Sequence, residues 1–213
     1  MKTHYDRNYY KWQNKCGELG ALVDLWKFKP FIKPSDSVLD FGCASGDILE
    51  KLTCRRKYGI EINDYAIKRA KQKNITVYKT IEEIPKLLKF DVIISHHALE
   101  HVENPFLILK ELRMLLKNKG TMIFVLPIDD WRIQKKYDKK DINKHLYAWT
   151  PLLIGNLFAQ AGYKIKDIKI FSHAWIPFSK FFYHFLPNFL YFFLCKIWSI
   201  TTFNRQMRII ATK

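Results

Sequence analysis

The sequence predicts an α/β fold built on a parallel sheet, and three observations carry that prediction. The 213 residues are 48% hydrophobic and 26% charged, the mixture of a globular chain long enough for one domain with a sizeable core. From residue 37 onward, short apolar runs alternate with segments of helical spacing. One of those runs, Val38 to Phe41, ends in a glycine-containing turn that opens a helix. Residues 1–213 are therefore read as a single domain.

Taken in order, a helix over Cys16 to Phe28 covers one end of the sheet, and Pro30 and Pro34 mark the link into the first strand. The strands Ser37 to Phe41, Lys57 to Glu61, Asn74 to Tyr78, Phe90 to Ser95 and Gly120 to Leu126 are short, apolar and bounded by glycine, proline or charge. Helices over Gly46 to Leu52, Asp64 to Gln72 and Pro105 to Lys117 fall between them. Asn104 is placed as an N-cap, with Pro105 at the first helical position, where its missing N–H is not needed. After Pro127 a polar loop runs to His145, and Thr150 with Pro151 starts a helix ending near Gly162. Lys164 to Phe171 and Gln206 to Thr212 complete the strands. The 34 residues between them, Ser172 to Arg205, form an insertion. From Trp175 to Trp198, eleven of 24 residues are aromatic and only Lys180 and Lys196 are charged, so the segment has to bury a face on something.

Thirty-six Lys and Arg against 20 Asp and Glu leave a net charge of +16, which suits nucleic acid, an anionic membrane surface or a phosphorylated substrate. Two basic clusters contribute: Lys51 to Lys73 holds eight basic and two acidic residues, and Arg132 to Lys144 holds six and two. Cys16, Cys43, Cys54 and Cys195 stand far apart with no C-x-x-C pair. That argues against a disulfide framework and a zinc ribbon, and predicts reduced, buried thiols. Met1 to Asn14 are polar and aromatic with no apolar run, unlike a secretory signal, which predicts a cytoplasmic protein.

The stretch Val38-Leu39-Asp40-Phe41-Gly42-Cys43-Ala44-Ser45-Gly46-Asp47-Ile48-Leu49 carries the most information. Read as a dinucleotide fingerprint, G-x-G-x-x-G from Gly42, it fails at Ala44 and Asp47. Read as D-x-G-x-G-x-G, it matches at Asp40, Gly42 and Gly46 and departs only at Ala44. On that turn the chain resembles the class I S-adenosylmethionine-dependent methyltransferases, and further segments fall where that family places them. Lys57-Tyr58-Gly59-Ile60-Glu61 is a second strand ending in an acid 19 residues beyond Gly42, and a carboxylate there can accept both ribose hydroxyls. Phe90 to Pro105, with Leu99-Glu100-His101-Val102 inside it, resembles the fourth strand and the signature after it. His145-Leu146-Tyr147-Ala148-Trp149-Thr150 before a helix ending in Ala161-Gly162-Tyr163 is similar to a segment of small-molecule methyltransferases. Arg205 to Lys213 resembles the antiparallel strand that closes the fold.

The resemblance covers Val38 to Phe171 and the last nine residues, and leaves the insertion unexplained. It implies a Rossmann-like, seven-stranded, mostly parallel sheet with an antiparallel last strand and an aromatic helical insertion before it. It also implies S-adenosyl-L-methionine as cofactor, held around Asp40, Gly42, Cys43, Ala44, Gly46, Glu61, Ile62, Thr80, Ile81, Ser95 and His96. The third strand's end, Tyr78-Lys79-Thr80-Ile81, lacks the acid that often holds the adenine amino group in this family. Thr80 and Ile81 are expected to hold adenine through backbone and apolar contacts instead.

A hydroxyl acceptor needs a base for its proton, and histidine titrates nearest neutrality. His145, just beyond the fifth strand at the edge where open α/β sheets bind ligands, is the first candidate, followed by His97 and His101. His97 to His101 also spells H-x-x-E-H, a zinc pattern when it lies on a helix. Here it follows a parallel strand. Ubiquinone-pathway O-methyltransferases carry E-x-x-E-H at this point, with the acids and histidine on a divalent metal; His97 replaces the first acid, and no metal is expected.

The expected acceptor is a small molecule, sugar or lipid-linked glycan. A nucleic-acid substrate is the weaker reading, because Ser95-His96-His97-Ala98 stands where many base methylators carry an N-P-P-Y-type loop. A third reading is a non-catalytic module of the same fold that docks to membrane. The insertion is expected to be a lid over the carboxyl edge of the sheet or an interfacial hairpin, broken at Pro177 and Pro187, on the inner face of an anionic membrane. A single span is disfavoured. Phe181 to Ile200 reaches twenty residues only by including His184, Pro187, Asn188 and Lys196, and the last strand must return to the sheet.

Overall fold

The computed structural model describes residues 16–213; the polar opening Met1 to Asn14 lies outside the described residues. The strands are β1 (Ser37–Phe41), β2 (Arg56–Ile60), β3 (Thr76–Tyr78), β4 (Phe90–His96), β5 (Leu116–Ile128), β6 (Lys164–Phe171) and β7 (Arg205–Thr212). They form one sheet in the order β3-β2-β1-β4-β5-β7-β6. Pairs β1–β2, β1–β4, β2–β3 and β4–β5 are parallel, and β7 runs antiparallel between β5 and β6. The chain builds outward from β1 to β3, then returns to lay β4 on the other side of β1. The carboxyl ends of β1 and β4 thus flank the point where connections part to opposite sides, and open α/β sheets bind ligands there.

The helices are α1 (described over residues 16–23), α2 (Asp47–Lys51), α3 (Asp64–Gln72), α4 (Pro105–Leu115), α5 (Pro151–Gln160), α6 (Ser179–Phe185) and α7 (Asn188–Thr201). Both faces of the sheet are covered, and the side-chain period of two along each strand sorts residues between them. Leu39, Ile93, Met122, Phe124 and Leu126 join Leu109, Leu112 and Phe158 of α4 and α5 in one cluster. Val38, Val92, Ile94, Ile123 and Val125 join Leu49, Ile67 and Ala70 of α2 and α3 in the other. The caps expected from sequence are formed: Asn104 Oδ1 accepts from Leu107 N at 3.0 Å and Thr150 Oγ1 from Leu153 N at 3.1 Å.

Several expectations are corrected. The first helix does not continue to Phe28; after Asp24 the chain turns through two short 3₁₀ segments, Leu25–Lys27 and Lys29–Phe31. Asp24 and Lys27 both point inward there and form a fully buried ion pair at 2.7 Å, a contact that regular helix geometry did not decide. The helix expected over Pro105 to Lys117 stops at Leu115, and β5 starts at Leu116, four residues early. Leu116 pairs with Phe90, and Lys117 to Gly120 bulge out before Thr121 pairs with Val92. β3 is shorter than expected, and β2 runs Arg56–Ile60, leaving Glu61 just past its end. The cysteines are free, but only Cys43 and Cys195 are buried; Cys16 and Cys54 are half-buried.

In the insertion, α6 and α7 break at Pro187, and α7 lies along α1, burying Tyr191 and Cys195 against Val23, with Leu19, Leu22 and Trp175 around them. Among the described residues, no helix is long and apolar enough to cross a membrane.

Candidate functional site

The glycine turn is held by its own backbone and by one acid. Gly42 and Gly46 take φ of +78° and +73°, the left-handed region that glycine enters without a Cβ penalty. A Cβ on Gly42 would stand 2.5 Å from the Ala98 Cβ, and one on Gly46 would stand 2.3 Å from Ile75 Cδ1. Ala44, where the motif has a third glycine, accepts φ of +46°. The N–H groups of Gly42 and Cys43 both donate to Ile60 O at 3.0 Å, tying the turn to the end of β2. Cys43 packs its sulfur beside Gly59, so its side chain belongs to the core and only its backbone faces the turn.

Glu61 closes this arrangement. Its buried carboxylate accepts from Ala44 N at 2.9 Å and Asn63 N at 2.8 Å, spanning the turn and the start of α3. Burial pushes its pKa up, and those N–H groups partly offset the shift. Asp40, buried at the end of β1, has an Oδ1 without a hydrogen-bond partner, and burial with the neighbouring Glu61 charge pushes its carboxyl up to about 8. Ile62 and Thr80 are exposed and Ile81 half-buried at the rim, while Ser95 is buried and donates to Phe41 O at 2.8 Å, pinning β4 to β1. Ser95 is thus a structural link between strands.

These residues fit an adenosyl cofactor. Two buried carboxyl groups, one with an unpartnered oxygen and one with acceptor capacity left on each oxygen, flank a turn whose glycines leave no room for side chains. Glu61 and Asp40 supply acceptors for hydroxyls, and the backbone of Gly42 to Gly46 allows close approach.

A second group lies past the ends of β4 and β5. His145 Nδ1 is 2.7 Å from Asp129 Oδ2, and its Nε2 is 3.9 Å from Glu100 Oε1. Burial pulls His145 toward the neutral form, but Asp129, Glu100 and Asp141 outweigh it and raise its pKa. Glu100 is fully buried on a 3₁₀ turn, Leu99–His101, and burial pushes its carboxyl up to about 7 despite opposing backbone and His145 contributions. Its backbone oxygen accepts from Leu146 N at 2.9 Å, which holds the His145 segment against this turn. The His101 ring meets His145 edge to face at 5.0 Å. Glu100, His101 and His145 each place one ligand atom within 4.8 Å of the others, a donor set that a divalent cation could use. His97 is not part of that set.

His96 and His97 point elsewhere. His96 Nε2 lies 3.4 Å from Asp24 Oδ2, and His173, from the start of the insertion, lies 3.3 Å from Asp24 Oδ1. Lys27, besides its pair with Asp24, donates to Gln206 Oε1 of β7. Burial pushes the Asp24 carboxyl up, but Lys27, His173 and His96 outweigh it and hold it well below the usual carboxylate range. His97, at φ +53°, lies tilted against His96 with ring centroids 4.6 Å apart, and burial with the His96 charge keeps it well below its ordinary pKa. Of the three candidate bases, the structure therefore groups His145 with His101 and separates His97.

Sequence reasoning missed Asp129, Glu100 as a charged partner, and Asp24. Asp129 stands directly after β5, 16 residues before His145, and only the fold of the polar loop between them brings the two together. The Asp24 cluster carried none, since its members come from α1, β4, β7 and the insertion.

A family profile described as a methyltransferase domain matches residues 12–168. Among curated proteins, the chain is 27% identical over 171 residues to the ubiquinone biosynthesis O-methyltransferase of Pelagibacter ubique, covering 75% of this chain and 62% of that protein. The protein of the same description from Rickettsia bellii is 30% identical over 139 residues, 56% of this chain and 58% of that one. The chain thus matches about three-fifths of the length of these relatives. A SAM-dependent methyltransferase of known structure from Archaeoglobus fulgidus superposes with a TM-score of 0.63 at 21% identity, covering 92% of this chain and 94% of that one. The domain match over residues 12–168 takes in the turn, Glu61 and the segment after β4, so this chain belongs to the class I S-adenosylmethionine-dependent methyltransferases.

Proposed function

We propose that the protein transfers a methyl group from S-adenosylmethionine to a hydroxyl of a small-molecule, sugar or lipid-linked acceptor. The observation that carries this reading is His145, oriented by Asp129 at 2.7 Å beyond the carboxyl edge of the sheet, with its second nitrogen facing inward. The names of the curated relatives, O-methyltransferases of ubiquinone biosynthesis, support an oxygen nucleophile on a small molecule.

In this reading the backbone from Gly42 to Gly46 and the rim residues Ile62, Thr80 and Ile81 seat the cofactor, and Glu61 accepts from its ribose. Bound there, the cofactor supplies an electrophilic methyl on a sulfonium centre. Asp129 fixes His145 with Nδ1 toward its carboxylate, leaving Nε2 to accept the acceptor's proton as the oxygen attacks. His101 and Glu100 border that nitrogen and shape where the hydroxyl lies. The protein's main contribution is to hold two reactants in line and to take one proton.

Incubating the protein with radiolabelled S-adenosylmethionine and cell extract, then separating lipid, nucleic acid, protein and soluble fractions, tests the reading. Label is expected in the lipid or soluble small-molecule fraction. Label confined to nucleic acid would overturn it.

A further inference from the structure

The insertion turns its apolar side outward. On α7, Tyr191, Cys195 and Ser199 are buried against α1, while Phe189, Phe193, Ile197 and Ile200 form a stripe on the opposite face and are exposed. Phe189 is 77% exposed. On α6, the Phe181 and Phe185 rings meet at a tilt with centroids 4.4 Å apart and are exposed as well, and Phe178, just before that helix, is 82% exposed. A helix on the surface of a water-soluble domain normally shows the reverse pattern, and contiguous apolar patches mark interaction sites.

From these residues we infer that the outward face of α6 and α7 docks on an anionic lipid bilayer. Three observations favour that occupant. The segment from Ser172 to Arg205 contains no acidic residue, in a chain of net charge +16, so nothing on it opposes lipid phosphates. Lys196 is exposed on α7, and the Arg132 guanidinium lies 4.2 Å over the Phe203 ring, which places the basic run Arg132 to Lys144 beside the end of α7. Trp131 and Tyr137 of that loop are exposed among its lysines, and such amphipathic aromatics favour headgroup depth. Neither helix can cross a bilayer, so the hairpin lies in the interface with its apolar stripe down. The inference does not depend on the methyl-transfer reading, because its test reads lipid binding alone.

The test is sedimentation of the full chain with phosphatidylcholine vesicles, with and without phosphatidylglycerol. Binding is expected with the anionic vesicles at low ionic strength, falling as salt rises and weak on phosphatidylcholine alone. Changing Phe181, Phe185, Phe189 and Phe193 together to Ser is expected to weaken partitioning at least ~10-fold with an unchanged far-ultraviolet spectrum, since all four are already in water. Changing Lys135, Lys136, Lys139 and Lys140 to Glu should remove the salt-sensitive part. Wild-type protein left in the supernatant with anionic vesicles at low salt would overturn the inference. So would phenylalanine variants that sediment as wild type does, or a wild-type dimer that the serine changes dissociate, which would assign the face to a second copy of the chain.

Discussion

Replacing His145 with alanine is expected to lower the rate of methyl transfer by roughly 10²- to 10⁴-fold, the span of a general base, with cofactor affinity little changed. His145 acts in its neutral form, so the wild-type rate should rise with pH. Although burial opposes it, the carboxylates of Asp129 and Glu100 place the midpoint above the ordinary histidine value of about 6.5. Asp129→Asn removes the strongest support for the protonated ring. The limb should then move to lower pH and the plateau should fall, as expected for a weaker, less well-oriented base. Steady-state rates against pH for the three proteins check this. A wild-type rate insensitive to chelator is the matching expectation; loss of activity on chelation would make His145 a metal ligand with Glu100 and His101. Unchanged turnover in His145→Ala would point to an amine acceptor, which attacks without prior loss of a proton.

Asp24→Asn is expected to destabilise the fold by about 3–5 kcal/mol, because it leaves the Lys27 ammonium fully buried without its partner at 2.7 Å. For a chain of this length that is a fall in melting temperature of roughly 6–20 °C. The double change Asp24→Leu with Lys27→Met should recover part of the loss, since it removes the unpaired ammonium but leaves His96, His173 and Gln206 without these partners. Asp24 also faces His96 and His173, and Arg208 of β7 donates to the Lys27 backbone at 3.2 Å. The single change should therefore loosen α1 and the start of the insertion together. Thermal melts of the three proteins decide it; a single variant as stable as wild type would show that the cluster contributes no net stability.

The parts of this molecule legible in its sequence are those fixed by neighbours along the chain. The run Val38 to Phe41 and the turn at Gly42 and Gly46 follow from strand hydrophobicity and the absence of Cβ atoms, and the family resemblance carried by that turn singled out Glu61 after the next strand. Asn104 and Thr150 announce their helices by chemistry local to one turn. What failed to show depends on distant residues. The helix expected over Cys16 to Phe28 ends instead where Asp24 meets Lys27 and histidines of β4 and the insertion, partners that no pattern local to those residues announces. Leu116 reads as the tail of a helix until Phe90 claims it as a strand partner. The aromatic insertion showed that it must bury a face, but not that α1 would receive Tyr191 and Cys195, with the phenylalanine stripe left outside. His145 was legible as a candidate by its place beyond β5. Its orientation by Asp129 was not, because the two sit at opposite ends of a polar loop.

The most direct test of the account is a calorimetric titration of the purified chain with S-adenosylmethionine, and with NAD as the competing nucleotide. The account predicts stoichiometric binding of S-adenosylmethionine and none of NAD. Glu61→Ala should weaken affinity by about 1.5–3 kcal/mol, the worth of a hydrogen bond to a charged group, plus any loosening of the turn it ties at Ala44. Binding of NAD with no heat from S-adenosylmethionine would contradict it.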